Sequence, residues 1–209
     1  MTRVIAGQAR GRQLTVPRGR TTRPTGDRVR EAMFAAAGSV LGSFEGTRVL
    51  DLYAGSGAAG LEALSRGARH ALLVEADTRP AQAIRANLRT VGLAGGRLVQ
   101  DRVERLLARG LPPGEEPYDV LFADPPYALP GPELTGVLAV AATRGWLTPG
   151  ALAIVERASR SEPLRWPPGY SPRQSRRYGE ATLWYATFEG EQDGQNEQRQ
   201  RTELDEQRG

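Results

Sequence analysis

The sequence predicts an α/β fold: a mostly parallel sheet of seven strands covered by helices on both faces, preceded by a small β-hairpin and closed by an antiparallel one. Three features predict it. From residue 47 onward, near-continuous apolar runs alternate with amphipathic stretches, the pattern of parallel strands buried on both faces. The first of these runs passes into a helix through a glycine-rich turn, "DLYAGSGAAG". The last two strand-like runs, in "RRYGEATLWYATFE", are joined by a turn with no helix between them, which makes them an antiparallel pair at one sheet edge.

Taken in order, "RVIAG" and "QLTVP" are β-prone and flank the Gly-containing "QARGR", which predicts a hairpin. In "RTTRPTGDRVREAMFAAAG" a helix is expected to start behind Asp27 as N-cap and to stop at Gly38. The alternation then reads strand 48–54, helix 57–67, strand 71–76, helix 78–91, strand 97–100, a short helix from Val103, strand 118–124, helix 131–145 and strand 151–158. The segment after residue 188, rich in Gln and Glu and almost free of apolar side chains, cannot offset its chain entropy by burial and is expected to be disordered. Three regions follow: a basic arm over 1–30, a folded body over 31–188 and an acidic tail over 189–209.

Composition narrows the chemistry. A chain of 209 residues suits one domain with a small appendage. It has no cysteine and a single histidine, so thiolate chemistry, disulfides and Cys/His metal sites are excluded, and a reducing, cytoplasmic setting is expected. All 28 basic residues are arginine, which removes Schiff-base lysines and the lysine of a phosphate-binding P-loop. No apolar run approaches the roughly 20 residues that cross a bilayer. The charge is uneven: eight Arg against one acid in residues 1–30, and three Arg against seven acids in residues 189–209. A concentrated basic arm points to a polyanionic partner, the alternative being a merely solvated terminus.

Two motifs carry chemistry. In the first, Gly55, Gly57 and Gly60 let the chain turn sharply and approach a ligand at the carboxyl end of a strand, and Glu75, twenty residues past Gly55, is placed to accept hydrogen bonds from ribose hydroxyls. Read literally this is also a dinucleotide fingerprint. Asp51 argues otherwise, because a carboxylate within the strand opposes a pyrophosphate and suits an ammonium or sulfonium ligand such as S-adenosylmethionine. Asp51 either holds that ammonium through water or braces the loop. Asp101, after the third of the regular strands, either accepts from an adenine amino group or caps the next helix. In the second motif, "DPPY", Pro125 and Pro126 remove two backbone donors. The carbonyls of Asp124 and Pro125 and the Asp124 carboxylate then form a cluster of acceptors suited to an exocyclic amine, with Tyr127 as a surface for the base to stack on. The bland alternative is a rigid loop with a surface tyrosine.

With these motifs the sequence resembles class I S-adenosylmethionine-dependent methyltransferases acting on exocyclic amines, whose fold is Rossmann-like. "RVIAGQARGRQLTVPRG" followed by "TRPTGDRVREAMF" narrows the resemblance to the RsmD family, bacterial 16S ribosomal RNA guanine-N2 methyltransferases. The resemblance spans about residues 2–188. It implies S-adenosylmethionine as cofactor, held by Asp51, Tyr53, Gly55, Gly57, Glu75 and Asp101, with Thr25, Arg28 or Arg30 near its methionine end or the RNA backbone. It implies that Asp124, Pro125, Pro126 and Tyr127 hold a flipped guanine. The partner is then 16S rRNA, in an assembled or partly assembled small subunit, and Arg3, Arg10, Arg12, Arg18, Arg20 and Arg23 are phosphate contacts that position it. A monomer with no membrane attachment and no metal is expected. Competing readings are an adenine-N6 methyltransferase on RNA or DNA, an NAD-dependent oxidoreductase, and a nonenzymatic ribosome-assembly factor.

Overall fold

A computed structural model of the chain describes residues 2–17 and 26–190. Expectations for Arg18, Arg20, Arg23, Thr25 and the acidic tail beyond residue 190 lie outside the described residues. Two short strands, β1 (Thr2–Arg3) and β2 (Gln13–Leu14), and a helix, α1 (Asp27–Leu41), come first. A regular alternation follows: β3 (Arg48–Leu52), α2 (Ala58–Ser65), β4 (His70–Val74), α3 (Thr78–Val91), β5 (Gly96–Val99), α4 (Val103–Ala108), β6 (Tyr118–Ala123), α5 (Gly131–Thr143) and β7 (Leu147–Ala158). The chain then adds β8 (Tyr170–Tyr178) and β9 (Ala181–Phe188).

Seven strands form one sheet in the order β5-β4-β3-β6-β7-β9-β8. The first five neighbours in that order are parallel; β9 enters antiparallel beside β7, and β8 lies outermost against β9. Strand β3 is buried at every position, as a central strand covered on both faces must be. Alternate side chains feed two cores. Leu50, Leu52, Leu72 and Leu121 meet α4 and α5 on one face, with Trp146 buried among them. Val49, Leu73, Val120, Phe122 and Ile154 meet α1, α2 and α3 on the other. Each fully buried leucine contributes roughly 1.5–3 kcal/mol relative to exposure. Strand order reverses direction between β3 and β6, so their carboxyl ends leave the crevice where such sheets bind ligands.

The structure corrects several boundaries. Gly38 lies inside α1, which runs on to Leu41; Gly42, with φ 76°, supplies the left-handed turn that stops it. Asp27 is the first helical residue, with Gly26 as cap, and its carboxylate accepts from Arg30 Nη2 at 3.0 Å. The N-terminal hairpin narrows to two pairs, Thr2 with Leu14 and Arg3 with Gln13. Strand β8 begins at Tyr170, before the expected hairpin, because it pairs along nearly the whole of β9.

The N-terminal segment is docked by polar groups of α2 and α3. Buried Glu62 accepts from the backbone N–H of Ile5 at 2.7 Å and of Ala6 at 3.0 Å. Ser65 Oγ accepts from Ala9 N–H and donates to Ala6 O. Buried Asn87 accepts from Thr15 N–H and donates to Thr15 O and Ser56 O. Gly7, at φ 79°, passes so close to α2 that a Cβ there would lie 1.7 Å from Ser65 O. Gly7→Ala should therefore undock the segment and cost roughly 2–4 kcal/mol, lowering the melting temperature by several degrees and opening the bond after Arg10 to trypsin. An unchanged melting temperature would show that the segment does not add to the stability of the body.

Candidate active site

Strand β3 delivers the first half of the site. Asp51 is buried on it, and its Oδ2 accepts from the N–H of Gly60, in the first turn of α2, at 2.9 Å. A Cβ at Gly60 would press within 3.2 Å of that carboxylate oxygen, and Gly57 holds φ 78°, so close approach favours glycine at the first position and the left-handed backbone favours it at the second. Burial pushes the Asp51 carboxyl up to about 7; the Gly60 bond opposes the shift and the nearby Glu75 carboxylate adds to it. Glu75, just past β4, is buried too. Its Oε2 accepts from Gly55 N–H and its Oε1 from Asp77 N–H, both at 2.9 Å. Two carboxylates thus clamp the glycine loop from adjacent strands, and each oxygen keeps acceptor capacity for a ligand.

Tyr53 sits between them at φ 57°, a conformation that costs a non-glycine residue on the order of 1 kcal/mol. Its hydroxyl donates to Glu104 Oε1 at 2.9 Å, tying the loop to α4. Burial, then the Glu104 bond, raise the Tyr53 phenol pKa well above its ordinary value. Asp101 stands just before α4 and is committed elsewhere: it accepts from Arg102 N–H and from Arg109 Nη2, each at 2.8 Å, and lies 3.5 Å from Arg105 Nη1. It does not line the cavity described below, whereas its neighbours Arg102, Val103 and Glu104 do.

Strand β6 delivers the second half. Asp124 N–H reaches Leu52 O across the β3–β6 seam at 3.4 Å, and Pro125 and Pro126 follow without donors. Leu129 N–H closes back on Pro126 O at 2.8 Å, which makes the motif a tight, donor-poor turn. Tyr127 is 43% exposed and stands outside the cavity lining. Desolvation, then the charges of Asp124, Glu156 and Glu180, raise its phenol pKa, while Arg160 opposes them. Glu156 is buried on β7, one position past the Ala123–Val155 pair, and faces the cavity.

One cavity of about 720 Å³ joins these parts. Asp51, Tyr53, Gly55, Glu75, Asp124, Pro125 and Pro126 line it; Gly57 lies beneath the loop, packed on Leu73. Thr2, Val16 and Pro17 form a further wall, so the N-terminal segment completes the site. Arg30 lines it as well. It is buried, donates to Arg3 O and Asp27, and lies 4.0 Å from Glu62, with no hydrogen bond at Nε among the described residues. Arg28 is exposed and outside the lining.

Sequence reading passed over Glu62, Asn87, Glu104 and Glu156. Glu62 looked like one more acid on a helix; its signal is an acid within the otherwise small and apolar "AAGLEALS". The basic arm is also less free than its charge implied. Arg12 caps α3 by donating to Thr90 O and Val91 O, Arg3 lies 3.9 Å from Asp27, and Arg10 is exposed.

A seven-stranded sheet in this order, with a glycine loop after its central strand and acids at the tips of the neighbouring strands, defines a class I methyltransferase fold. The chain belongs to the family described as "Conserved hypothetical protein 95", whose signature matches residues 2–187. It is 40% identical over 154 residues to ribosomal RNA small subunit methyltransferase D of Escherichia coli, covering 74% of this chain and 73% of that one. It is 33% identical over 169 residues to the protein of the same name from Haemophilus influenzae, covering 81% and 84%. A solved Escherichia coli protein described as "Putative methyltransferase yhhF" superposes with a TM-score of 0.77 at 35% identity, covering 91% of this chain and 99% of that one. The resemblance read from the sequence is borne out.

The Asp51 carboxyl gives a pH signature. Because its folded value of about 7 lies above the ordinary 3.8, the folded state holds a proton that the unfolded chain has released. Its contribution therefore favours folding least above pH 7, falls between about pH 4 and 7, and is level beyond. Asp51→Asn, which keeps an acceptor for Gly60, should gain on the wild type by on the order of 2 kcal/mol between pH 5.5 and pH 8 in urea unfolding. A pH-independent difference would show that the carboxyl titrates normally.

Proposed function

We propose that the chain transfers a methyl group from S-adenosylmethionine to the N2 amine of a guanine in 16S rRNA of the small ribosomal subunit. The observation that carries this reading is the convergence of the clamped glycine loop and the Asp124-Pro125-Pro126 turn on one cavity at the β3–β6 switch. The names of the relatives supply the RNA.

The lining fits the cofactor. Asp51 and Glu75 offer buried acceptors at the glycine loop, with Asp77 beside them, and carboxylates there oppose a pyrophosphate. We assign Asp51 to the ammonium end and Glu75 to the ribose. Tyr53, Gly55 and Gly57 shape the loop between them, and Asp101 acts through α4. S-adenosylmethionine, when bound, supplies the activated methyl.

The chain's own residues supply position and electrostatics. The Asp124 side chain and the Asp124 and Pro125 carbonyls accept from the two N–H groups of the amine. That draws its lone pair out of ring conjugation and toward the methyl. After transfer the nitrogen is acidic, and its proton passes to Asp124 or to water. Tyr127, exposed beside this turn, offers a ring for the extruded base. The arm's arginines, Arg10 foremost, hold phosphate, and the enzyme works as a monomer in the cytoplasm, where bacterial ribosomal RNA is found.

The test is methyl transfer from labelled S-adenosylmethionine to unmethylated small subunits, naked ribosomal RNA and duplex DNA, with mass spectrometry of the digested nucleosides. N2-methylguanosine on ribosomal RNA is expected; N6-methyladenine, or no transfer, would overturn the reading. Asp124→Ala should lower kcat by at least about a hundredfold while cofactor affinity stays within about threefold. Equal losses of both would remove Asp124 from its assigned place.

A further inference from the structure

The arginines are not neutralised evenly. At the amino edge of the sheet, Arg48 and Arg97 pair with Glu115, and Arg69 pairs with Glu116. The outermost strand is different. Its sequence, "YSPRQSRRY", holds three arginines and no acid, and all three are exposed. Arg173 Nε donates to Thr187 Oγ1 at 2.6 Å, Arg176 Nε to Gln174 Oε1 at 3.2 Å and Arg177 Nε to Gly179 O at 3.0 Å. Each bond uses Nε and a neutral acceptor. Among the described residues no hydrogen bond or ion pair occupies their terminal nitrogens. Arg160 is exposed in the connection from β7, and among the described residues no ion pair engages it.

Register ties this strand to the candidate active site. Arg176 pairs with Leu183, which pairs with Glu156; Arg177 pairs with Thr182, which pairs with Arg157. These rows lie at the carboxyl edge of the sheet, just past the Ala123–Val155 pair that precedes Asp124. Ser159 binds the β8–β9 turn through Glu180 O and Gly179 O. That turn and Arg160 lie close enough to Tyr127 for the charges of Glu180 and Arg160 to act on its phenol. The arginines thus begin at the β8–β9 turn near Tyr127, with Arg176 and Arg177 projecting from opposite faces of this edge strand, and reach Arg173 roughly 13 Å along it. There a shallow cleft of about 570 Å³ opens, and Trp166, Trp184 and Arg173 are among the residues that line it.

We propose that the β8 edge, from Arg160 through Arg177 and Arg176 to Arg173, is a second RNA-binding track, separate from the N-terminal arm, which holds the single-stranded backbone leaving the target base. The inference rests on the RNA-methyltransferase reading above. Forked cations match phosphate, and an indole-lined cleft at the end of the track matches an unpaired base. The competing account is that the charges only keep an edge strand from pairing with other chains.

The experiment compares wild type with the triple variant Arg173→Gln, Arg176→Gln, Arg177→Gln, and with a control that removes the same charge elsewhere: Arg85→Gln, Arg89→Gln, Arg144→Gln. Binding to naked unmethylated small-subunit RNA is measured across salt concentrations, beside cofactor affinity, melting temperature, oligomeric state and methyl transfer. The track predicts about tenfold weaker RNA binding for the β8 variant and a salt slope shallower by about two. It predicts a raised KM with kcat nearly unchanged, and wild-type cofactor affinity and melting temperature. The control should lose much less. Equal losses in both variants would overturn the proposal in favour of a general field. Unchanged RNA binding would also overturn it. Self-association would then assign the charges to edge protection, and activity lost only on assembled subunits would assign them to a protein contact. If the wild type itself neither bound nor methylated RNA, the proposed function would fall and the track with it; wild-type methylation with an unaffected variant would remove the track alone.

Discussion

The structure depends on buried carboxylates that discharge their acceptor capacity onto backbone N–H groups. Asp51 takes Gly60, Glu75 takes Gly55 and Asp77, and Glu62 takes Ile5 and Ala6. A carboxylate taken out of water without such partners costs several kcal/mol, so each of these fixes the chain segment that supplies its donors. The three segments are the helix start, the glycine loop and the N-terminal segment, which form much of the cavity wall. Removing any one acid would free backbone donors as well as a charge. The lining is therefore stiff for reasons that belong to folding, before any ligand is considered.

The same arrangement separates the signs of charge. Acids outnumber arginines in the cavity lining, Asp51, Glu75, Asp77, Glu104, Asp124, Glu133 and Glu156 against Arg30, Arg102 and Arg105. Arginines dominate the exposed surface beside it, on the N-terminal segment and on β8. An acidic interior favours a cation and repels phosphate; a basic exterior does the reverse. A ligand carrying ammonium and sulfonium groups and a polyanion carrying the acceptor base are each drawn to their own side. The turn at Pro125 and Pro126, which lines the cavity, offers acceptors without competing backbone donors, and this suits an amine.

Much of this was legible in the sequence, and what escaped did so for physical reasons. The strands β3, β4, β6 and β7 read clearly because burial on both faces leaves a continuous apolar run. The glycine loop read clearly because Gly55 and Gly57 adopt positive φ and Gly60 packs closely on Leu73 and Asp51. Helix α1 was misjudged at both ends, since Gly38 tolerates helical geometry and only Gly42 adopts the left-handed turn. The docking of the N-terminal segment was invisible, because Glu62, Ser65 and Asn87 act over separations of 56 to 72 residues and leave no local pattern. Charge counting saw eight arginines near the N-terminus but not that Arg12 is spent on helix carbonyls and Arg30 is buried.

Arginine is the chain's only basic side chain, apart from one histidine, so it must serve both structure and surface. Which task each one performs follows from the acids within reach. Where Glu115, Glu116, Glu62 or Asp101 lies close, the guanidinium is paired and its field is short-ranged. Where only hydroxyls, amides and carbonyls among the described residues meet the guanidinium, as along β8, the charge stays unbalanced there. An edge strand tolerates such side chains because its outer flank faces water. The sheet topology that places β8 outermost and turns its carboxyl end toward Tyr127 thereby also decides where positive charge accumulates relative to the cavity.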